Sequence, residues 1–191
     1  MSAKALVVLA DGFEDIEALA TNDVLRRGGI HTNLIALTDD PVIMSSHGVS
    51  MTADEFLPDL DLDADGTCEE DVMIFPGGMP GSRNLAACTP LIEAMKEHYA
   101  AGGTVAAICA APGTVLSQLD IWEGKAFTCF DGFEDAIIAK GGVFKPEPAV
   151  VDGRVITGRS AGHAVTFGLA ILCKIKGQAA MEAVRHSMYL D

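Results

Sequence analysis

The sequence predicts an α/β sandwich, a mostly parallel sheet with helices on both faces. Three observations point to it. Short, nearly continuous apolar runs such as residues 5–10 (ALVVLA) and 71–75 (DVMIF) read as strands buried on both faces. Segments with helical spacing of apolar residues lie between them, so strands and helices alternate. Glycine-bearing turns follow the strands: Asp11-Gly12, Pro76-Gly77-Gly78 and the turn at Cys109.

In order, residues 5–10 form the first strand. A helix is expected over residues 14–27, with acids in its first turn, arginines in its last and Gly28-Gly29 after it. Residues 30–37 are a second strand. Residues 42–53 alternate weakly about Gly48, which predicts a small hairpin or excursion, and the acid-rich residues 54–71 read as surface loop. After the strand at 71–75, Thr89-Pro90 opens a helix to about 101, with Ile92, Met95 and Tyr99 on one face. Residues 104–108 are a strand, followed by a helix carrying Val115, Leu116 and Leu119. A short strand is expected at 125–129 and a helix at 131–140. A hairpin turns about Asp152-Gly153 within residues 150–157. A long helix covers 161–176, with Phe167, Ile171 and Ile175 as its core stripe, and a last one covers 178–187. The pentapeptide DGFED occurs at 11–15 and at 131–135, each time opening a helix. Residues 1–191 read as one domain, without a linker.

The chain has 191 residues, 13 Lys plus Arg and 27 Asp plus Glu, and a net charge of −14. Phosphate backbones and anionic lipid would repel it, so no stable nucleic-acid binding and no membrane association are expected. The N-terminal apolar run is too short for a secretory leader, and Gly, Pro and charge interrupt every apolar stretch. A cytoplasmic, reducing setting follows. The cysteines at 68, 88, 109, 129 and 173 are odd in number and widely spaced. They signal neither a disulfide framework nor a zinc knuckle. The histidines at 31, 47, 98, 163 and 186 form no metal-like cluster, and no phosphate or dinucleotide loop is present. No metal and no cofactor are expected.

The chemistry centres on residues 102–119 (GGTVAAICAAPGTVLSQL), which read as strand, sharp turn and helix with Cys109 at the turn. A thiol over a helix N-terminus faces unpaired N–H groups and the positive end of the dipole, which favour thiolate. Cys109 is therefore a candidate nucleophile on a strand-to-helix elbow. The plainer alternative is an inert core cysteine. Glu17 shares a helix face with Ala20 and Val24, so its carboxyl points toward apolar ground. There its pKa would rise and it could carry protons for the thiol. The alternative is a solvated acid early in a helix. Gly77-Gly78 could present N–H groups to an oxyanion, or be a plain tight turn. His163, just after Arg159, is the histidine with a route to the site; the plainer reading, a capping or packing role, is the preferred one.

With these residues in place, the chain resembles the ThiJ/PfpI superfamily, in the branch of the parkinsonism-associated protein deglycase and its bacterial relatives. The matching stretches are ALVVLADGFEDIEAL at 5–19, RRGGI at 26–30, DVMIFPGGMPGSRNL at 71–85, AAICAAPGTVL at 106–116 and ITGRSAGHAVTFGLAI at 156–171. The resemblance implies a flavodoxin-like three-layer sandwich and a homodimer. It puts Cys109 in the place of the nucleophile and redox-sensitive cysteine, and Glu17 in that of the acid hydrogen-bonded to it. Gly78 and Ala110 fall at the oxyanion-hole backbone, and Arg159 beside the pocket. The chain also departs from family patterns. Ala110 stands where protease-type members carry His, which argues against a Cys-His peptidase. No late His-x-Glu of the amidotransferases exists. Cys129 stands where some members of the branch have a His; it is either packing or a second thiol that could resolve oxidised Cys109.

The resemblance implies a cofactor-independent enzyme acting on 2-oxoaldehydes or early glycation adducts, of glyoxalase III or deglycase type. The alternative is a redox sensor or redox-regulated chaperone of oxidative stress without significant turnover, on the same thiolate. An older label of the superfamily, thiamine-precursor phosphorylation, finds no phosphate loop here.

Overall fold

The computed structural model describes residues 4–57 and 72–190. A seven-stranded sheet runs through it. Its strands are β1 (Lys4–Leu9), β2 (His31–Ala36), β5 (Glu55–Phe56), β6 (Val72–Phe75), β7 (Thr104–Ile108), β10 (Ala149–Asp152) and β11 (Val155–Gly158). Their spatial order is β10-β11-β7-β6-β1-β2-β5. Every neighbouring pair is parallel except the β10–β11 hairpin.

Strand alternation sorts the core into two halves. Val7, Leu9, Ile74, Ala106, Ile108 and Ile156 face one side. There they meet α1 (Asp15–Arg27), α6 (Ala164–Lys176) and α7 (Gln178–Ser187) through Val24, Leu25, Phe167, Ile171, Leu172 and Val184. Val8, Ile35, Met73, Phe75, Val105 and Ala107 face the other side. They pack on α2 (Gly81–Ala87), α3 (Thr89–Ala100) and α4 (Ala111–Thr114) through Leu85, Leu91, Met95 and Ala111. The period-2 split of one strand between two helix layers is the physical content of the three-layer sandwich.

A hairpin of β3 (Val42–Met44) and β4 (Ser50–Thr52) stands apart from the main sheet, where the weak alternation predicted it. Both DGFED copies end on the first helical residue, Asp15 of α1 and Asp135 of α5 (Asp135–Ile138).

Several elements differ from expectation. Residues 54–71 were expected to be loop, but Glu55–Phe56 adds a parallel edge strand beside β2; residues 58–71 lie outside the described residues. Helix α2 has no amphipathic spacing to announce it, since within it only Gly81, Ser82 and Leu85 are buried. The helix expected over 131–140 shrinks to the single turn of α5. Gly132 has φ +89°, and its N–H is taken by the Glu134 carboxylate, so the chain loops before it winds. The strand expected at 125–129 is only β8 (Ala126–Phe127). It pairs with β9 (Val143–Phe144) in a separate two-stranded sheet and leaves Cys129 outside any strand. The helix after Cys109 is also short: one turn, α4, followed by a 3-10 turn at Leu116–Gln118. Gly113, Thr114 and Val115 are poor helix formers in succession.

The carboxyl ends of β1, β6 and β7 are adjacent, so the three glycine-bearing loops meet. Gly12 is fixed there by its conformation and its crowding. It has φ +87°, and a Cβ would lie 2.5 Å from Pro80 Cδ, 2.7 Å from Pro80 N and 2.8 Å from Gly81 N. Gly12→Ala therefore has to push backbone as well as adopt a disfavoured φ. It is expected to lower unfolding free energy by roughly 2 kcal/mol or more, read from the urea midpoint at constant m value.

Candidate functional site

Cys109 is the first residue after β7. Its φ of 63° makes it, with Tyr189, one of two non-glycine residues with positive φ among the described residues. That conformation is costly for a residue with a Cβ, and such strain concentrates where a side chain must be aimed. The chain holds the elbow from both sides. The Cys109 N–H donates to Gly158 O at 3.0 Å, and the Phe130 N–H donates to Cys109 O at 2.8 Å. Ala110 and Ala111, both buried, leave room for the sharp turn.

Glu17 is buried, with 1% of its surface exposed. The Glu14 side chain caps α1 by accepting the Glu17 N–H at 2.8 Å. The Glu17 carboxyl thus reaches the β6 loop, where Oε2 accepts the Gly77 N–H at 2.8 Å. The Glu14 N–H donates in turn to Gly77 O at 3.1 Å, so loop and helix start are tied twice. Glu17 Oε1 is buried with no N–H or O–H donor, and the Cys109 thiol lies against the carboxyl. Gly77 fills the remaining space: a Cβ there would sit 2.7 Å from both Cys109 Cβ and Glu17 Oε2. Of the two sequence readings of Glu17, the solvated acid is excluded by this burial.

Electrostatics couple the pair. Burial, the largest cause, pushes the Glu17 carboxyl up to about 7, against the hydrogen bonds from Cys109 and Gly77. Burial, then the charge and hydrogen bond of Glu17, push the Cys109 thiol up to about 12, while the N–H groups of Ala110 and Gly78 pull it down. The helix dipole is therefore not what governs the sulfur: α4 is a single turn, too short for much of one. What governs it is where one shared proton sits. Thiol beside carboxylate is one arrangement. Thiolate beside carboxylic acid is the other, in which the repulsion vanishes and two N–H groups solvate the sulfur.

The remaining sequence candidates spread around this pair. Gly78 and Ala110 direct their N–H groups at Cys109. Arg159 follows the carbonyl that receives the Cys109 N–H, and its Nη2 donates to Asp131 Oδ1. Cys129 is fully buried in the helix α2–α4 side of the core, and burial pushes its thiol up to about 12. Packing accounts for it. His163 Nδ1 pairs with Ser160 Oγ at 3.0 Å, a local contact in the 3-10 turn that precedes α6. Sequence reasoning missed Glu14 as the cap, and Phe130 and Asp131 beside the elbow. The second DGFED was the available signal for Asp131.

The histidines, scattered in sequence, do yield one group with metal-ligand types: Glu14, Asp15 and His47 hold donor atoms within 4.8 Å of one another. Both Asp15 oxygens are taken by Ser45 and His47, and Glu14 caps Glu17. The group also crowns the positive end of α1, which repels a cation.

The raised Glu17 pKa has a consequence for stability. The folded value of about 7 exceeds the ordinary 4.5, so between these pH values the native state holds more protons than the unfolded one. The stabilisation is complete below 4.5 and is lost as pH rises through 7. Wild type is expected to lose on the order of 3 kcal/mol relative to Glu17→Gln across that window, measured by urea unfolding of both proteins at pH 4.5 and 8.

The DJ-1/PfpI family model matches residues 3–174. The Parkinson disease protein 7 homolog of Danio rerio is 33% identical over 98% of this chain and 97% of its own. A Caenorhabditis elegans relative described as glutathione-independent glyoxalase DJR-1.2 is 32% identical over 91% of this chain and 89% of its own. The crystal structure of a DJ-1 superfamily protein from Salmonella typhimurium, solved as a cysteine-to-alanine mutant, superposes with TM-score 0.88 at 32% identity, covering 99% of this chain and 98% of that one. These matches span the flavodoxin-like sandwich and the elbow alike, and the chain belongs to the DJ-1/PfpI family.

Proposed function

We propose that the chain is a cofactor-independent enzyme acting on 2-oxoaldehydes, with Cys109 as nucleophile and Glu17 as proton carrier. The buried Cys109–Glu17 pair carries this reading: a thiol faces a carboxyl whose pKa is tuned to about 7, where a general acid/base works best. A relative described as a glutathione-independent glyoxalase supports it.

Ionised Glu17 accepts the thiol proton as sulfur adds to the aldehyde carbon and passes it to the carbonyl oxygen, giving a hemithioacetal and leaving Glu17 ionised again. The N–H groups of Gly78 and Ala110, directed at the sulfur in the free protein, would turn to the oxyanion that forms beside it in that step. The hemithioacetal carbon then loses its C–H proton to Glu17. The resulting enediol takes the proton back on the neighbouring carbon, leaving a thioester. Water cleaves the thioester and returns the thiol. Methylglyoxal plus water thus becomes lactate with no outside oxidant or reductant. In the deglycase reading an early glycation adduct reaches the same hemithioacetal once the carbon–nitrogen or carbon–sulfur bond of the adduct breaks, its amine or thiol leaving with a proton as the Cys109 sulfur takes the carbon.

The same thiolate arrangement supports an oxidation response. Cys109 is only half-buried, so peroxide has a path to it. Sulfur oxygenation there and aldehyde turnover can coexist.

The other expectations remain part of this reading: one domain, a homodimer and a cytoplasmic setting. Ile16 and Leu19 on α1, with Val42, Met44 and Val49 on the β3–β4 hairpin, are large exposed apolar side chains that a second copy would cover. The four described cysteines are free thiols. Among the described residues, no helix is long and apolar enough to cross a membrane.

In a lactate assay with methylglyoxal, Cys109→Ser is expected to lose turnover by about 10³-fold or more. Glu17→Gln is expected to lose about 10²- to 10⁴-fold. Wild-type kcat/KM should rise through pH 7 and the inflection should disappear in Glu17→Gln. Turnover retained by Cys109→Ser sinks the reading. Peroxide-treated protein that gains oxygen at Cys109 by mass spectrometry while wild type makes no lactate would favour the sensor instead.

A further inference from the structure

We propose that Arg159 recognises a carboxylate on the molecule that reaches Cys109, and that Asp131 is an internal carboxylate holding that place until it is displaced. The proposal rests on the reading of Cys109 as the reacting atom, and it adds to the uncharged 2-oxoaldehydes a favoured class of substrate, reactive carbonyl compounds that carry a carboxylate.

Both residues are anchored to the backbone of the nucleophile. β11 pairs with β7 so that Gly158 lies opposite Ile108, and Gly158 O receives the Cys109 N–H. Arg159, the next residue, is thus level with Cys109 one strand away. From the other direction, Phe130 donates its N–H to Cys109 O, and Asp131 follows it. The two side chains meet, Arg159 Nη2 donating to Asp131 Oδ1.

The guanidinium is held but only half used. It lies over the Phe144 ring, 5.5 Å from the centroid, and Arg159 N donates to Pro148 O. Its Nη1 is buried and has no hydrogen-bond partner. An unpaired N–H on a buried cation is costly, and a planar guanidinium fork matches a carboxylate through two parallel bonds. Asp131 supplies only one of them.

Asp131 is also a weak competitor. Its side chain is 78% exposed, against 22% for Arg159, and an ion pair with one partner in water is worth little. An external carboxylate that displaces Asp131 from Nη2 gains the second bond once the displaced side chain and its loop let it reach Nη1. Glu14 acts electrostatically on Glu17, Glu17 on Cys109 and Glu134 on Cys129, so an anion set against these acids meets like charge and Arg159 is the favourable partner.

Iodoacetate and iodoacetamide test this without requiring turnover. Cys109 thiolate displaces iodide from either reagent. The two are close in size, and iodoacetate alone carries a carboxylate. The readout is the ratio of their alkylation rates at Cys109, followed by peptide mass spectrometry so that the other thiols do not count. Asp131→Asn should raise the iodoacetate-to-iodoacetamide ratio about threefold or more. Arg159→Gln should lower it about fivefold or more. Arg159→Lys should fall between Arg159→Gln and wild type, because it keeps the charge and loses the fork. Because each ratio is internal to one protein, a general disturbance of the pocket cancels. An unchanged ratio in Asp131→Asn and Arg159→Gln overturns the proposal, as does Arg159→Lys behaving like wild type, which would reduce Arg159 to background charge. If lactate formation is absent while the ratios shift as stated, the reaction proposed above fails and Arg159 recognition stands.

Discussion

The site depends on a carboxyl group put where water cannot reach it. Glu17 is buried among packed groups, and its Oε2 accepts the N–H of Gly77. Burial of an acid is expensive unless it can become neutral or find donors. Here one N–H, one thiol and a shared proton supply that relief. The requirement then spreads outward. Gly77 must lack a side chain, α1 must start at the level that aims Glu17 inward, and the β6 loop must stay tied to Glu14.

The tie also explains the tolerance of strain at Cys109. A positive φ at a residue with a Cβ persists only where neighbours over-determine it. The Cys109 backbone N–H and carbonyl are both engaged, by strand β11 and by the loop after β8. Two small, buried residues follow it. The sulfur therefore does not owe its chemistry to a long helix behind it, since α4 is one turn. On the proposed reading it owes it to a neighbour that can hold its proton.

Most of the sheet was legible because apolar runs and their breaks follow from burial on both faces. The strands at residues 5–10, 30–37 and 104–108, and the helices at 14–27 and 178–187, match elements in the structure. What was not legible is instructive. β5 is two residues whose pairing depends on β2, a tertiary fact. α2 buries too narrow a stripe to show a period. α4 is short because Gly113, Thr114 and Val115 are poor helix formers, and α5 because the chain loops at Gly132 before it winds. At the site, i+3 and i+7 spacing was enough to direct Glu17 inward, but not to say that the thiol would feel a carboxylate more than a dipole. That depended on the depth of burial and on the length of α4, neither of which a residue pattern encodes.

The position of β7 divides the work of the site. β6 lies on one side of it and β11 on the other. The β6 side brings Gly77, Gly78 and, through α1, a carboxyl that can be neutral near pH 7. The β11 side brings Arg159, a cation that never loses its charge. Proton traffic needs a group whose charge is undecided, and recognition of an anion needs one whose charge is fixed. A single strand end holds the sulfur between the two, so a molecule anchored on the Arg159 side would present its carbonyl toward the Glu17 side. The two carboxylates nearby then have opposite fates for the same electrostatic reason. Glu17, denied water, can trade its charge for a proton near pH 7, whereas Asp131, left in water, gains little from its partner.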